Sequence, residues 1–325
     1  MSGERLDAPL RAWIEDALGG WIVRADRFTH AGRSRSLWAV DVEIAGAVKP
    51  LILKSEVGGG PFTGTAITLA REAAVLKALE GTEVPIPEIY AVSESGDDVV
   101  MQRLAGVADW TFADAQTERA VTGAYVAALA ALHALDFRAL AMPFATPISP
   151  EAAVRANIAE FDDAYRNFCR PHGVIEEAHA WLEMHAPVSI DQIVLTHGDA
   201  GPGNFMHQGA AVTGLIDWEL THLGDAADDL AWIWFRTTVL KQGGDYRAFH
   251  RLYTEMTGRE IDTRKLEYCA LMIVYRCTIV CHVRQAHDPT HDDARPRQLR
   301  EMLAAALADV QGASDRALIP DFRAA

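Results

Sequence analysis

The hydrophobic pattern of this chain changes about one third of the way along, and this change constrains the fold more than any other feature. Up to about residue 104, short apolar and β-branched runs are separated by glycine-containing turns, which is typical of strands. One stretch in this part has apolar residues at helical spacing. The predicted elements are strands at Trp21–Phe28, Leu37–Ile44, Leu51–Ser55 and Val99–Leu104, an extended segment from Pro85 to Tyr90, and a helix at Ala66–Leu79.

Beyond Gly106 the pattern is mostly helical. Helices are predicted around residues 121–133, 152–169, 176–184, 246–256 and 264–283. Two short β-prone runs, Gln192–Leu195 and Val212–Ile216, interrupt them. The sequence therefore predicts an α+β fold in two lobes. Residues 1–104 are expected to form a small antiparallel sheet with one helix, and residues 105–325 a larger, mainly helical lobe.

Composition argues against several classes of protein. The net charge of -15 disfavours a nucleic-acid-binding protein, because such a protein needs a basic surface. The first residues lack the apolar run of a secretory signal peptide. The most apolar stretch, Ala270–Val283, is too short to span a bilayer and contains Arg276. The 4 cysteines form no C-x-x-C pair, which favours reduced thiols. We expect a cytoplasmic protein with no nucleic-acid or membrane partner, as a monomer or homodimer.

The loop 197–204, together with Asp217, is the strongest candidate for a functional site. Its sequence, His-Gly-Asp-Ala-Gly-Pro-Gly-Asn, keeps it out of a helix while it presents Asp199 and Asn204. Asp217 directly follows an apolar run. Mg²⁺ prefers carboxylate and amide oxygens, so Asn204 and Asp217 are predicted metal ligands. Asp199 is then available to accept the proton of an attacking hydroxyl group. Taken singly, these residues are equally typical of turns and helix caps.

These segments resemble those of the aminoglycoside phosphotransferase and choline-kinase-like family. The loop 197–204 matches that family's H-G-D-x-x-x-x-N catalytic loop, and Ile-Asp-Trp-Glu at 216–219 matches its metal-binding segment. Residues 224–231 match its G-D-x-x-x-D-L-A helix start. The similarity covers nearly the whole chain and is greatest to phosphotransferases related to the kinase-like domain attached to some acyl-CoA dehydrogenases. It implies a protein-kinase-like fold and a reaction that uses ATP and Mg²⁺ to phosphorylate a hydroxyl group of a small molecule.

The resemblance implies further roles in the first lobe. Lys54, at the end of an apolar strand, is expected to hold the nucleotide phosphates, and Glu72, in the next helix, is expected to hold the lysine. The strand that contains Met101 and Arg103 is expected to bind adenine through backbone groups. Ser34, in a loop with a G-x-S-R arrangement, is expected to contact phosphate oxygens.

Roles are also implied in the second lobe. Asp225 is expected to fix the catalytic loop as a buried cap. His197 and His133 are expected to be structural hydrogen-bonding residues. Glu219 is expected to reach the metal or a substrate hydroxyl, or else to lie on the surface.

Three other functions remain open on the sequence. A non-catalytic nucleotide-binding module usually lacks one of the polar residues that are all present here. A protein kinase would have H-R-D instead of H-G-D and a longer segment ending in A-P-E. A metallohydrolase would use His197, Asp199, His207 and Asp217, and would leave the lysine and glutamate of the first lobe unexplained. The acceptor also stays open among antibiotics, sugars, amino alcohols and hydroxy-acid derivatives, to be recognised by the helices after residue 218 and by the region 152–184.

Overall fold

The computed structural model describes residues 5–28, 35–57, 62, 65–147, 149–187, 193–260, 262–287, 294–312 and 318–319. The strands are β1 (Trp21–Arg27), β2 (Arg35–Ile44), β3 (Ala47–Glu56), β4 (Ile89–Val92), β5 (Asp98–Gln102), β6 (Val194–Thr196), β7 (Phe205–Gln208), β8 (Ala211–Leu215) and β9 (His222–Gly224). The helices are α1 (Ala8–Leu18), α2 (Leu69–Leu79), α3 (Ala115–Ala134), α4 (Pro150–Phe168), α5 (Gly173–Met184), α6 (Ala226–Trp234), α7 (Tyr246–Thr257), α8 (Thr263–His287) and α9 (Arg295–Val310).

The N-terminal part is built on one antiparallel sheet with the strand order β1-β2-β3-β5-β4. The middle strand, β3, places Lys54 opposite Leu37 on one neighbour and Val99 on the other. A central strand is held by hydrogen bonds on both edges, so the backbone at Lys54 is fixed on both sides. The antiparallel sheet confirms the prediction for this part of the chain.

A helix that the sequence analysis did not predict, α1, packs against this sheet. Its N-cap is Asp7, whose side chain accepts a hydrogen bond from the N–H of Leu10. Ile14 is the fully buried residue of the helix and lies in a cluster with Ile22 and Val40. Leu10, Trp13 and Leu18 pack against the same cluster, so the helix carries an apolar face at helical spacing that the sequence analysis overlooked. The N-terminal part thus carries two helices where one was expected.

Helix α2 belongs to two hydrophobic clusters. Leu69 and Ala73 pack with Val99 and Met101 of β5. Residues on another face of the helix join the large cluster of the C-terminal part; these are Val75, Leu76 and Leu79. Glu72 is held between these two packed faces, so its position depends on both parts of the protein.

The C-terminal part is mainly helical and contains two small antiparallel sheets, β6-β9 and β7-β8. The predicted helices and β-prone runs of this part are present, with ends that differ by a few residues. Strands β7 and β9 and helix α9 were not predicted. The sheet and helices confirm the α+β, two-part prediction, and the boundary after residue 104 stays a prediction.

Helix α8 forms the centre of the C-terminal core. By length and composition it is apolar enough to cross a membrane, yet 72% of its most apolar window is buried inside the protein. Within it, Arg276 is 3% exposed and makes a paired interaction with Asp228 of α6, with N–O distances of 3.2 and 2.9 Å. The most apolar stretch of the sequence, Ala270–Val283, is therefore part of a core helix.

Candidate active site

Lys54 forms the ion pair with Glu72 that the sequence predicted. The Nζ atom of Lys54 donates to both carboxylate oxygens of Glu72, at 2.9 and 2.8 Å, and to Oδ1 of Asp217 at 3.1 Å. An ammonium group has three donors, so all of them are used. Burial lowers the pKa of Lys54, but the charges of Glu72 and Asp217 more than offset this and raise it above its ordinary value. Lys54 is therefore a charged group held in one orientation.

Asp217 is presented by a strained backbone conformation directly after β8. Its φ of 68° and ψ of 59° lie in the left-handed region, which aspartate tolerates better than most residues. Its side chain makes no helix-cap hydrogen bond and is 39% exposed. Burial raises the pKa of Asp217, but the charge and hydrogen bond of Lys54 bring it below the ordinary value. Asp217 stands at the N-cap position of the short 3₁₀ turn Trp218–Leu220, but its side chain does not cap that turn, so capping does not account for the carboxylate.

The loop between β6 and β7 holds Asn204 in a defined orientation. Its Nδ2 atom donates to the backbone oxygen of Asp199 at 2.8 Å and to Oδ2 of the same residue at 2.7 Å. Both partners accept hydrogen bonds, so the two donors of the amide are used and its Oδ1 is the atom left for a cation. Asn204 therefore stabilises the turn, and the same contacts leave an oxygen free for metal binding.

Asp199 is paired with an arginine that the sequence analysis did not identify. Oδ1 of Asp199 accepts from Nε of Arg236 at 2.8 Å, and Oδ2 accepts from Nη2 of Arg236 as well as from Asn204. The carboxylate has about four acceptor positions, so the remaining one is on Oδ1. Burial raises the pKa of Asp199, and Arg236 opposes this shift. The structure thus singles out Oδ1 as the atom that can accept another proton donor.

The backbone of the loop is held by Asp229 of α6. Its carboxylate accepts from the N–H groups of His197 and Gly198, each at 2.8 Å, and from Nε2 of His133 at 2.9 Å. Asp229 is fully buried. Asp225, which was expected to fix the loop, instead caps α6 by accepting from the N–H of Ala227. The prediction of a cap is confirmed, but the residue that fixes the loop is Asp229, four positions later.

The two histidines near the loop have structural partners. Nε2 of His197 donates to the carbonyl oxygen of Ile216 at 3.0 Å, and its ring lies against Trp218. Burial lowers the pKa of His197. The ring of His133 hydrogen-bonds to Asp229 through Nε2 at 2.9 Å and to the hydroxyl group of Tyr253 through Nδ1 at 2.8 Å. Both residues make the structural hydrogen bonds that were predicted.

The acidic residues of the site fit a divalent cation. Burial first, and then the negative charge of Asp217, raise the pKa of Glu219 to about 8, so Glu219 and Asp217 together place acidic charge directly after β8. A bound Mg²⁺ would neutralise this charge, with Asn204 Oδ1 and Asp217 as oxygen ligands.

The described residues do not form the site that a metallohydrolase would need. In the part of the chain that the structure describes, no three His, Cys, Asp or Glu side chains group as a metal site. His207 instead directs its Nε2 to the carbonyl oxygen of Asp109. The metallohydrolase alternative is therefore disfavoured.

The predicted adenine-binding strand is only partly suited to that role. The side chain of Met101 is 8% exposed and packs against α2. The N–H of Arg103 already donates to the carbonyl oxygen of Pro50, and its guanidinium pairs with Asp41. Leu104, at the end of the same predicted strand, has an N–H that donates to no backbone group among the described residues. Ser34 lies outside the described residues.

A cavity of about 870 Å³ lies between the start of α2, the connector before α4, α4 itself and β9. Its wall combines apolar and polar groups, including Phe144, Asn157, Glu160 and His222. Asn157 is 7% exposed, and its Oδ1 atom has no hydrogen-bond partner in the described structure. The volume is typical of a small-molecule pocket.

Known proteins of the same architecture were compared with this chain. A sequence model described as the phosphotransferase enzyme family matches residues 27–269. A candidate aminoglycoside phosphotransferase from Ralstonia eutropha is 20% identical, with a TM-score of 0.66 over 93% of this chain and 96% of that one. The phosphotransferase APH(4)-Ia, in a complex with ADP and hygromycin B, is 17% identical, with a TM-score of 0.65 over 92% and 98%. The choline kinase LicA from Streptococcus pneumoniae is 14% identical, with a TM-score of 0.65 over 92% and 98%.

Proposed function

This chain belongs to the phosphotransferase enzyme family and has a protein-kinase-like fold, and from that premise we propose that it transfers the γ-phosphoryl group of ATP to a hydroxyl group of a small molecule. One observation carries the proposal. Lys54 and Asp217 are 163 positions apart in the sequence, yet the Nζ atom of Lys54 lies 3.1 Å from Oδ1 of Asp217 and also contacts Glu72. A phosphate-binding lysine and a metal-binding carboxylate must share one cleft for such a reaction.

Binding of the nucleotide requires Lys54 to exchange one of its partners. Its contact with Asp217 is the longest of the three and the more exposed, so it is the one that gives way. Glu72 then keeps the ammonium group in place while it binds the α- and β-phosphates. Leu104 offers a backbone N–H to adenine. Asn204 and Asp217 would hold Mg²⁺, which supplies positive charge to the phosphate oxygens.

Asp199 acts on the acceptor. Its Oδ1 atom accepts a hydrogen bond from the acceptor hydroxyl and orients the oxygen towards the γ-phosphorus. A new P–O bond forms to that oxygen as the bond to the leaving ADP breaks, and the hydroxyl proton passes to Asp199 and then to water. The protein forms no covalent bond to the transferred group in this reaction. Positioning of the reactants and electrostatic stabilisation therefore supply most of the rate acceleration.

The cavity beside α4 is the proposed site for the rest of the acceptor. Its floor includes His222, three residues after Glu219 in the sequence. Filling the cavity by Ala156→Trp is expected to raise the KM for the acceptor while the KM for ATP stays unchanged.

The test is an acceptor screen with purified protein, ATP and Mg²⁺. Hydroxylated metabolites and antibiotics are scored for ADP release and for a mass gain of one phosphoryl group. Asp199→Asn serves as the control that should bind nucleotide but not turn over. Nucleotide binding without turnover on any acceptor would instead favour a non-catalytic module, and labelling of proteins but of no metabolite would favour a protein kinase.

A further inference from the structure

Arg236 lies in an unusual turn at the end of α6. Residues Phe235–Val239 form a π-helical turn that continues α6, a geometry that is rare and often found at functional sites. The Arg236 side chain is 8% exposed. Besides its two bonds to Asp199, its Nη1 atom donates to the carbonyl oxygen of Pro202 at 3.0 Å and to Oε1 of Gln242 at 2.8 Å. Four of its five N–H donors are therefore used, three of them within the catalytic loop.

The glycines of the loop make room for this side chain. A Cβ atom at Gly201 would lie 3.1 Å from Cδ of Arg236, and one at Gly203 would lie 3.2 Å from its Nη1. Both glycines have positive φ values, 127° and 95°, which other residues rarely adopt. The loop thus curves around the guanidinium group, and the glycine spacing in the sequence reflects that contact.

One element therefore holds both components of the loop. Asp229, in the first turn of α6, fixes the backbone, and Arg236, seven residues later, fixes the carboxylate of Asp199. The carboxylate in turn accepts from Asn204. A shift of the Asp199 side chain would change the orientation of the Asn204 amide as well.

We propose that Arg236 is a positioning residue of the phosphoryl-transfer site. Its planar guanidinium group fixes the plane of the Asp199 carboxylate, leaves one acceptor position on Oδ1 for the acceptor hydroxyl, and through Oδ2 sets the amide that offers its oxygen to the metal. A lysine carries the same charge but cannot form the paired contact. This inference rests on the proposed function. Arg236 acts through Asp199 and Asn204 and does not need to contact the substrate.

The test compares Arg236→Lys with Arg276→Lys. Arg276 is a matched control, because it is also buried and paired with an aspartate, Asp228, outside the loop. Misplacement of catalytic groups by about 1 Å costs up to about 100-fold in rate. We expect Arg236→Lys to lower kcat by roughly 10- to 100-fold with the KM for ATP within about twofold of the wild type. Arg276→Lys should keep the kcat of the folded protein. Added guanidinium ion should restore part of the activity of Arg236→Ala.

A second measurement does not depend on turnover. Amide hydrogen exchange in residues 198–204 should rise in Arg236→Lys and stay unchanged in Arg276→Lys, because the first substitution removes contacts to the loop. Equal effects of the two substitutions on kcat or on exchange would overturn the positioning role. A raised KM for ATP with normal kcat would overturn it too, and would make Arg236 a nucleotide-binding residue. Absence of turnover by the wild-type protein refutes only the proposed function, since the exchange measurement still decides the role of Arg236.

Discussion

Replacing Asp229 by asparagine separates the contribution of α6 to catalysis from its contribution to stability. The carboxylate accepts three hydrogen bonds in a fully buried site, two of them from the backbone of the loop. In asparagine one carboxylate oxygen is replaced by an NH₂ group, which donates and cannot accept, so at least one of the three donors loses its acceptor. Fewest hydrogen bonds are lost if the NH₂ group replaces Oδ1, which accepts only from the N–H of Gly198. Oδ2, which accepts from His197 and His133, is then kept as the amide oxygen.

The magnitude follows from those contacts. A hydrogen bond to a charged group contributes about 1.5–3 kcal/mol, and an unsatisfied buried donor costs about 1–3 kcal/mol. We therefore expect Asp229→Asn to lower the free energy of unfolding by about 3–5 kcal/mol. The free energy of unfolding of a folded domain is about 5–15 kcal/mol, so the folded fraction of the variant is read from its unfolding curve and kcat is expressed per folded molecule. Because the loop backbone moves, the kcat per folded molecule should fall by roughly 100-fold.

The neighbouring residue supplies the control. Asp228 is also buried, but among the described residues its carboxylate pairs with Arg276 of α8 and, at 3.7 Å, with His222, and not with the loop backbone. Breaking a buried ion pair costs about 3–5 kcal/mol, so Asp228→Asn should lose similar stability in urea unfolding while its kcat per folded molecule stays near that of the wild type. If the two variants lose activity in proportion to stability alone, the argument that Asp229 sets the loop is refuted.

Three further substitutions have expected outcomes. Glu72→Gln should raise the KM for ATP and lower kcat, together by roughly 10- to 100-fold in kcat/KM, since Lys54 loses its charged anchor; steady-state kinetics with varied ATP would show it. Asn204→Ala should raise the Mg²⁺ concentration needed for half-maximal rate by about tenfold or more, whereas an unchanged requirement would exclude Asn204 as a ligand. Burial lowers the pKa of His250 from 6.5 to about 4, so the unfolded chain binds a proton that the folded one does not. Stability is fully present above about pH 6.5 and falls towards pH 4, by up to roughly 3 kcal/mol from this group. Urea unfolding of His250→Gln at several pH values should show a weaker decline.

The sequence was sufficient for those parts of the site that short segments carry. Asp199, Asn204 and Asp217 lie in or beside one loop, where residue types and spacing follow from local chemistry. The pairing of Lys54 with Glu72 was predicted from the family resemblance, and the structure adds that the central position of β3 fixes the lysine beside the helix.

Long-range contacts account for what the sequence analysis missed. Arg236 reaches Asp199 across 37 positions, and its direction depends on a π-helical turn that shifts the helix register. No apolar period indicates such a turn. Asp225 and Asp229 are chemically alike, and only the packing of α6 on the loop shows which of them faces it. The adenine-binding role that the resemblance implies for the strand with Arg103 stays a prediction, and the N–H of Arg103 donates to Pro50 of β3.

The burial of α8 also has a consequence for how the protein is made on the ribosome. One face of this helix is covered by α9, the last helix described, whose Leu303 and Leu307 belong to the same hydrophobic cluster. During synthesis α8 emerges first, so this apolar face stays uncovered until about thirty more residues have followed. A nascent or truncated chain that lacks α9 should therefore bind chaperones and aggregate, even though every residue of the proposed catalytic site has already been translated.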